Sequence, residues 1–217
     1  MLTKISMGGH GQDNRNFRHL ENLIVLKASG LFIKFGIKSV SMDDVASECG
    51  ISKKTLYKYF DRERMVAAVV DQLITVYETR LASIQRRALP VVPELQQMLS
   101  QSLDSSRQVS GQFLHSLKIF HNDAYRKMLD FISGKVKNVF QANLCKGRNL
   151  GLYRPDIQLP VILQLYFHQI LDISQQRPID KSKWITELNR LFLFGILAPK
   201  GLAILDDQHT LTGNTLR

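Results

Sequence analysis

The sequence has no apolar run near the roughly 20 residues needed to cross a bilayer, and its polar N-terminal stretch lacks the apolar core of a signal peptide. It has only two cysteines, Cys49 and Cys145, which lie far apart and outside any C-x-x-C pair. Two such thiols are typical of small buried side chains in a reducing compartment. We therefore expect a cytoplasmic protein with no membrane partner.

The sequence also lacks the common local signatures of catalysis. It contains no G-x-x-x-x-G-K-[ST] phosphate loop, no G-x-S-x-G elbow and no H-E-x-x-H zinc motif. His115 and His121 do not have the spacing that places two metal ligands on one helix face. We predict that the protein is not an enzyme, with no catalytic residues, no metal and no cofactor.

Acidic residues are scarce, with 19 Asp and Glu against 29 Lys and Arg, giving a formal net charge of +10. A basic chain favours a polyanionic partner, which charge alone leaves open between nucleic acid and a membrane surface. Bases also outnumber acids between Arg80 and Lys146. We interpret this stretch as a solvated face; an anionic ligand, or added attraction toward DNA, is the alternative.

Apolar residues recur at helical spacing along most of the chain, with no strand pattern and no internal repeat. The sequence therefore predicts an all-α fold. Helices are expected at about 17–35, 41–49, 52–60, 62–87, 94–108, 112–120, 123–149, 159–175 and 181–198. We divide the chain into an arm without fixed structure (1–16), an N-terminal three-helix helix-turn-helix domain (17–64), a larger C-terminal helical domain for ligand binding and dimerisation (65–205) and a polar tail (206–217).

Two closely spaced caps define the helix-turn-helix. Ser41 with Asp44 resembles a capping box, Gly50 ends the short helix, and Ser52 caps the next one. A helix, a glycine turn and a second helix form a DNA-reading unit. The apolar residues are spaced to form its inner face: Val45, Ala46, Ile51, Leu56 and Phe60.

The opposite face of the second helix carries lysines, tyrosines and hydroxyls without an acid, which suits the major groove. We assign base readout to its N-terminal residues Lys53, Lys54 and Thr55. Phosphate contacts are assigned to side chains and to the two helix N-termini, at Ser41, Ser52, Tyr57, Lys58 and Tyr59. For this helix alone, a solvated basic helix with buried tyrosine rings is the alternative.

The run from Leu31-Phe32 and Gly36 through Ser41–Ala46 to Gly50–Phe60 resembles the N-terminal domain of the tetracycline-repressor-like (TetR/AcrR) family. The resemblance is dense over about residues 20–66. It implies a three-helix DNA-binding domain, a linking fourth helix and a larger helical domain that binds an inducer and dimerises. Turns at Gly147–Asp156 and Phe194–Gly201 also look like turns near the last helices of the family, which extends the resemblance loosely to about residue 205.

The chain departs from the family pattern at two positions. Lys54 stands where the family often has a small residue, commonly glycine, so different bases come within reach. Glu63 stands where the family often has a lysine that contacts phosphate. Arg62 and Arg64 flank it, and we expect one of them to take over that contact.

The C-terminal half supplies candidates for two further sites. An apolar cavity with a few polar groups is what a small-molecule effector needs. The expected ligand contacts are Phe113, Leu117, Phe120, His121, Tyr125, Phe131 and Tyr166, with plain core packing as the alternative. The last two helices are apolar most of the way round, which favours a four-helix dimer interface over a monomer core. Its expected contacts are Leu163, Phe167, Ile170, Leu191 and Phe194.

Together these features predict a ligand-responsive transcriptional repressor whose partners are double-stranded DNA, a small-molecule effector and a second copy of the chain. As a homodimer it would bind a near-palindromic operator. Two alternatives are an enzyme or small-molecule-binding protein that retains a helix-turn-helix, and a protein that coats DNA without regard to sequence.

Overall fold

The computed structural model describes residues 10–175 and 180–212, and in those ranges it contains helices and turns but no β-strand. The all-α prediction is confirmed. The α-helices are α1 (His10–Phe35), α2 (Met42–Glu48), α3 (Lys53–Tyr59), α4 (Arg62–Arg86), α5 (Val91–Gln108), α6 (Gly111–Phe120), α7 (Asn122–Phe131), α8 (Lys137–Asn149), α9 (Leu159–Gln175), α10 (Lys181–Ile196) and α11 (Pro199–Thr212). None of the helices described is long and apolar enough to span a membrane.

Local capping chemistry sets the start of α2 and α3. The Ser41 hydroxyl accepts a hydrogen bond from the Asp44 N–H at 3.1 Å, and the Asp44 carboxylate accepts one from the Ser41 N–H at 2.7 Å. This is the predicted capping box. Ser52 caps α3 by accepting from the Thr55 N–H at 3.1 Å. Gly50 lies between the helices at φ +66°, where a residue with a side chain is strained.

The N-terminal core joins α1, α2, α3 and the first half of α4. Ile24, Phe32 and Leu56 are fully buried in it. Phe113 and Leu117 of α6 are buried in the same cluster. The helix-turn-helix domain therefore packs directly on α6, a helix of the C-terminal half.

A second core holds the C-terminal helices together. It is formed by α5, α8, α9, α10 and the end of α4, with Leu95, Phe140 and Leu163 fully buried. Tyr153, in the turn after α8, closes one side of this core, and its hydroxyl donates to the Asn143 Oδ1 at 2.8 Å. Asn143 in turn donates to the Val91 carbonyl at 2.9 Å, which ties α8 to the start of α5.

The structure differs from the expected helices mainly at four places. α1 already includes His10, whereas a helix was expected from residue 17. α5 begins at Val91 rather than at residue 94, with Pro93 in its first turn. The predicted helix 123–149 contains a π-helical segment, Ile132–Val136. Pro199, expected to start a break, occupies the first position of α11, where its missing N–H costs nothing. The beginning of the predicted arm and the end of the predicted tail lie outside the described residues.

Candidate nucleic-acid interface and effector cavity

The basic face of α3 points outward while its apolar side is buried. Leu56 is fully buried and Phe60, at the end of the helix, is nearly so. Lys54, Tyr57 and Lys58 are exposed, with 51% of Tyr57 accessible. Anchored by Leu56, α3 presents a cationic and aromatic surface to solvent at Lys54, Tyr57 and Lys58.

Lys53 lies on the same exposed surface but is paired within the protein. Its ammonium is 2.9 Å from the carboxylate of Asp43 on α2. That hydrogen bond, with the carboxylate's charge, raises the pKa of Lys53. Both side chains are solvent-exposed, and such a pair contributes little stability. Lys53 can therefore leave Asp43 when a stronger anionic partner arrives.

The hydroxyls that were predicted to contact DNA, those of Ser41, Ser52 and Thr55, make hydrogen bonds within the helix caps. Ser52 and Thr55 hydroxyls lie 2.9 Å apart, and Ser41 donates to the Asp44 carboxylate at 2.7 Å. Hydrogen bonds from the Ser41 backbone and hydroxyl lower the pKa of Asp44. The hydroxyls of Ser41 and Ser52 thus cap the starts of α2 and α3.

Tyr59 differs from Tyr57 in its surroundings. Its ring is half-buried and stacks on Phe17 of α1, with the ring centroids 4.3 Å apart and the planes 24° from parallel. The alternative of buried tyrosine rings therefore describes Tyr59 in part and does not describe Tyr57. Phe17 was missed as part of this surface, because no local pattern pairs it with a residue so far along the chain.

Arg62 and Arg64 face in different directions. The guanidinium of Arg62 turns inward, donates to the carbonyls of Ile37 and Val40, and lies 5.2 Å from the Phe32 ring centroid. Partial burial lowers its pKa. Arg64 stays exposed near the Phe60 ring. This placement corrects the expectation for Arg62, whose charge is used to hold the turn between α1 and α2, and leaves Arg64 as the arginine able to reach phosphate.

Glu63 contacts the C-terminal half of the protein. Its carboxylate accepts a hydrogen bond from Nδ1 of His121, at the junction of α6 and α7, over 2.8 Å. The His121 side chain is only 9% exposed. The contact borders a cleft of about 210 Å³ that includes Lys38, Phe120 and the inward-facing Arg62. The acidic residue at position 63 thus links the start of α4 to the C-terminal half.

A largely apolar cavity of about 160 Å³ lies between α4, α5, α7 and α9. We call it the effector cavity. It resembles in size a pocket that holds benzene in another protein. Its lining includes Ile74, Tyr77, Arg80, Ser105, Phe131 and Ile170.

Of the seven predicted effector contacts, only Phe131 lines this cavity. Phe113, Leu117 and Tyr125 belong to the N-terminal core, and Phe120 and His121 line the cleft near Glu63. Tyr166 is buried in the C-terminal core, where its hydroxyl donates to Asn189 at 2.8 Å. Apolar residues were correctly expected inside, but the sequence did not show which helices face the cavity. The α4 and α5 linings were missed.

The predicted dimer contacts divide between the interior and the surface. Leu163 and Phe167 are buried within the chain, and Ile170 lines the effector cavity. Leu191 and Phe194 are 71% and 50% exposed on α10. Other large apolar side chains are exposed on the same two helices: Val161, Leu165 and Trp184. We call these five exposed residues the α9–α10 face.

The profile of a family described as bacterial regulatory proteins, tetR family, matches residues 24–68, which span α1 to α4. Residues 24–68 of this chain therefore form a domain of the tetR family. The exposed face of α3 lies within this domain.

Two Bacillus subtilis HTH-type transcriptional regulators are similar to this chain. YvaF is 32% identical over 96 residues, which cover 43% of this chain and 50% of YvaF, so the match spans half of that protein's length. YhgD is 23% identical over 188 residues, covering 80% of this chain and 94% of YhgD.

A solved structure extends the likeness to the whole fold. A protein from Saccharomonospora viridis, solved in complex with choline, superposes with a TM-score of 0.71 at 15% identity, covering 83% of this chain and 99% of that one. At this identity the comparison establishes the fold alone. The two proteins therefore share their fold over most of both chains.

Proposed function

We propose that the chain is a homodimeric transcriptional repressor that binds a near-palindromic operator in double-stranded DNA and releases it when a small molecule occupies the effector cavity. The observation that carries this proposal is the exposed basic face of α3, held outward by the buried Leu56. A short helix of this kind fits the major groove of B-DNA. The tetR-family match over residues 24–68 supports it.

The contacts on DNA are divided by position along α3. Lys53 and Lys54 lie in the first turn, where side chains reach base edges, and Thr55 lies beside them. Tyr57, Lys58 and Arg64 are exposed and suited to phosphates, and Tyr59 contributes through its free edge. The net charge of +10 adds a long-range attraction that does not depend on sequence.

Dimerisation is supported by the α9–α10 face. Large apolar side chains grouped on two neighbouring helices are costly to leave in water, and they mark interaction surfaces. The same two helices from a second copy would cover them in a four-helix arrangement with twofold symmetry. Such a dimer presents two α3 helices to one duplex, about 34 Å apart in successive major grooves.

Effector control is supported by the course of α4. This helix begins beside the DNA-binding helices at Arg62 and lines the effector cavity at Tyr77 and Arg80. A ligand that favours a different position of α4 would change the spacing of the two α3 helices and disfavour operator binding. We propose a regulatory rather than enzymatic role, without metal or cofactor, in the cytoplasm, where the DNA is.

Binding to the DNA upstream of the chain's own gene tests the proposal. Fluorescence anisotropy with labelled duplexes should show preference for that DNA over a shuffled duplex of equal composition, and the affinity should fall steeply as salt rises. Equal affinity for both duplexes would favour a DNA-coating protein. An absence of binding, with catalytic turnover in the presence of candidate substrates, would favour the enzyme alternative.

Replacing Lys58 with Ala should weaken binding to every duplex by a similar factor. Each subunit loses about one phosphate contact, so the slope of log affinity against log salt should become shallower by about 2 for the dimer. Anisotropy titrations at several salt concentrations measure it. Lys146→Ala removes an exposed lysine on α8 and is the control. An unchanged slope in Lys58→Ala would remove Lys58 from the DNA surface.

Replacing Lys54 with Ala should change which sequences are preferred. A base-contacting side chain contributes about 1–3 kcal/mol of discrimination at its base pair. Selection from a randomised operator library should therefore show relaxed preference at one position in each half-site. Lys58→Ala, analysed in parallel, should retain the wild-type preferences. If Lys54→Ala also retains them, Lys54 does not read bases.

A further inference from the structure

Arg80 supplies the only charge on the described lining of the effector cavity. It lies on α4, near the end of the cavity, and its side chain is partly exposed. No Asp or Glu is found among the residues known to line the cavity. The remaining lining is aliphatic, aromatic, hydroxyl or amide. Arg80 is therefore the one residue with a formal charge in the described lining.

Three acidic side chains on α4 and α5 are paired with cations other than Arg80. Glu78 lies 2.8 Å from Lys135, Asp71 contacts Lys127, and Asp104 lies 3.6 Å from Arg107. Within the described part of the chain, Arg80 itself has no hydrogen bond or ion pair. A guanidinium at the wall of an apolar cavity without a carboxylate partner favours an anion from outside the protein.

One hydroxyl of the cavity also has a proton to donate. Ser105 accepts a hydrogen bond from the Gln101 amide at 3.1 Å, which leaves its own O–H available. The neighbouring hydroxyls differ, because Ser102 donates to the Met98 carbonyl and Ser106 to the Leu103 carbonyl. Arg80 and Ser105 thus both offer hydrogen-bond donors to the cavity, and the oxygen atoms of an anion accept from such donors.

The rest of the cavity suits an apolar body. Ile74, Phe131 and Ile170 line it, and Tyr77 meets Phe131 edge to face with the ring centroids 5.8 Å apart. The π-helical segment Ile132–Val136 forms part of the wall. Such segments are rare and occur frequently at functional sites, because the wide turn reshapes one helix face.

We propose that the ligand of the effector cavity is an amphipathic carboxylate, with its apolar body among Ile74, Phe131 and Ile170 and its carboxylate on Arg80. This inference rests on the proposed function, in which this cavity controls DNA binding. The sequence between Arg80 and Lys146 has more basic than acidic residues, and the proposal gives one of these basic residues, Arg80, a role in binding an anionic ligand. An organic cation is disfavoured even though aromatic rings are present, since Arg80 would repel it.

Isothermal titration calorimetry with three probes of equal length tests the ligand class: octanoate, octan-1-ol and octylammonium, each below its aggregation concentration. Octanoate should bind the full-length protein at least tenfold more tightly than octan-1-ol, because a charge-assisted hydrogen bond is gained. Octylammonium should bind most weakly. Arg80→Met should remove the preference for octanoate while leaving the affinity for octan-1-ol unchanged. That unchanged affinity also shows that the cavity of the variant is folded.

Arg86→Met is the matched control, because Arg86 lies on the same helix, is exposed and does not line the cavity. It should behave as wild type. Four outcomes would each overturn the proposal. In the wild-type protein these are equal affinities for octanoate and octan-1-ol, a higher affinity for octylammonium than for octanoate, or no binding of any probe. In the variants it is an equal loss of octanoate affinity in Arg80→Met and Arg86→Met. If octanoate binds through Arg80 and operator affinity does not change, the ligand class stands and the effector role fails.

Discussion

Leu191→Glu should convert the dimer to monomers and lower operator affinity by about 100-fold or more. Leu191 lies on α10 within the α9–α10 face and is 71% exposed. Two facing glutamates would bring like charges into an apolar interface with no partner, which costs several kcal/mol. A monomer binds a single half-site, and the gain from linking two binding units, about 10²–10⁴, is lost. Sedimentation velocity and anisotropy on the same samples measure both effects.

Leu150→Glu provides the control for this variant. Leu150 is 49% exposed in the turn after α8 and lies outside the α9–α10 face, so the same substitution there should leave the dimer and the affinity unchanged. A Leu191→Glu protein that sediments as a dimer and binds the operator normally would place the dimer interface elsewhere. Monomers with full operator affinity would contradict the requirement for paired α3 helices.

Gly147→Ala should lower the free energy of unfolding by about 3 kcal/mol, and the Tm by roughly 6–12 °C. A Cβ at Gly147 would lie 2.8 Å from Cζ of Tyr153 and closer still to two other ring carbons. The Tyr153 ring is fully buried and its hydroxyl is held by Asn143, so it cannot move aside. Thermal and urea unfolding followed by circular dichroism measure the loss.

Gly30→Ala is the matched substitution in an open position. Gly30 lies within α1, and a Cβ there would meet nothing within 4 Å. Because alanine is the better helix former, this variant should gain about 1 kcal/mol. Equal stabilities of the Gly147→Ala and wild-type proteins would mean that the close approach of Tyr153 to α8 does not occur.

The helix-turn-helix region was predictable because residues close together in sequence determine where its helices begin and end. Ser41 with Asp44, Gly50 and Ser52 define α2 and α3 within a few residues of each other, and the structure starts and ends these helices there. The start of α9 at residue 159 was also predicted, from a strongly apolar segment that follows a turn. Caps and glycines act locally, so sequence alone suffices for them.

The positions of residues that depend on packing between different helices could not be predicted from the sequence. Phe113 and Phe131 are both apolar and helical, yet one packs on the helix-turn-helix and the other lines the effector cavity. Arg62 carries no local sign that it turns inward to the carbonyls at the end of α1. Arg80 has no distinguishing neighbour in sequence, and only the packing of α4 against α5 and α9 brings it to the cavity.

The central claim is that the exposed face of α3 enters the major groove in pairs. Dimethyl sulfate footprinting tests it most directly, because this reagent methylates guanine N7 in the major groove and adenine N3 in the minor groove. We expect guanine protection in two patches, about 10 base pairs apart on one face of the operator, with the contacts of Lys53, Lys54 and Tyr57 inside them. Protection confined to adenine N3, or a single unpaired patch, would contradict the account.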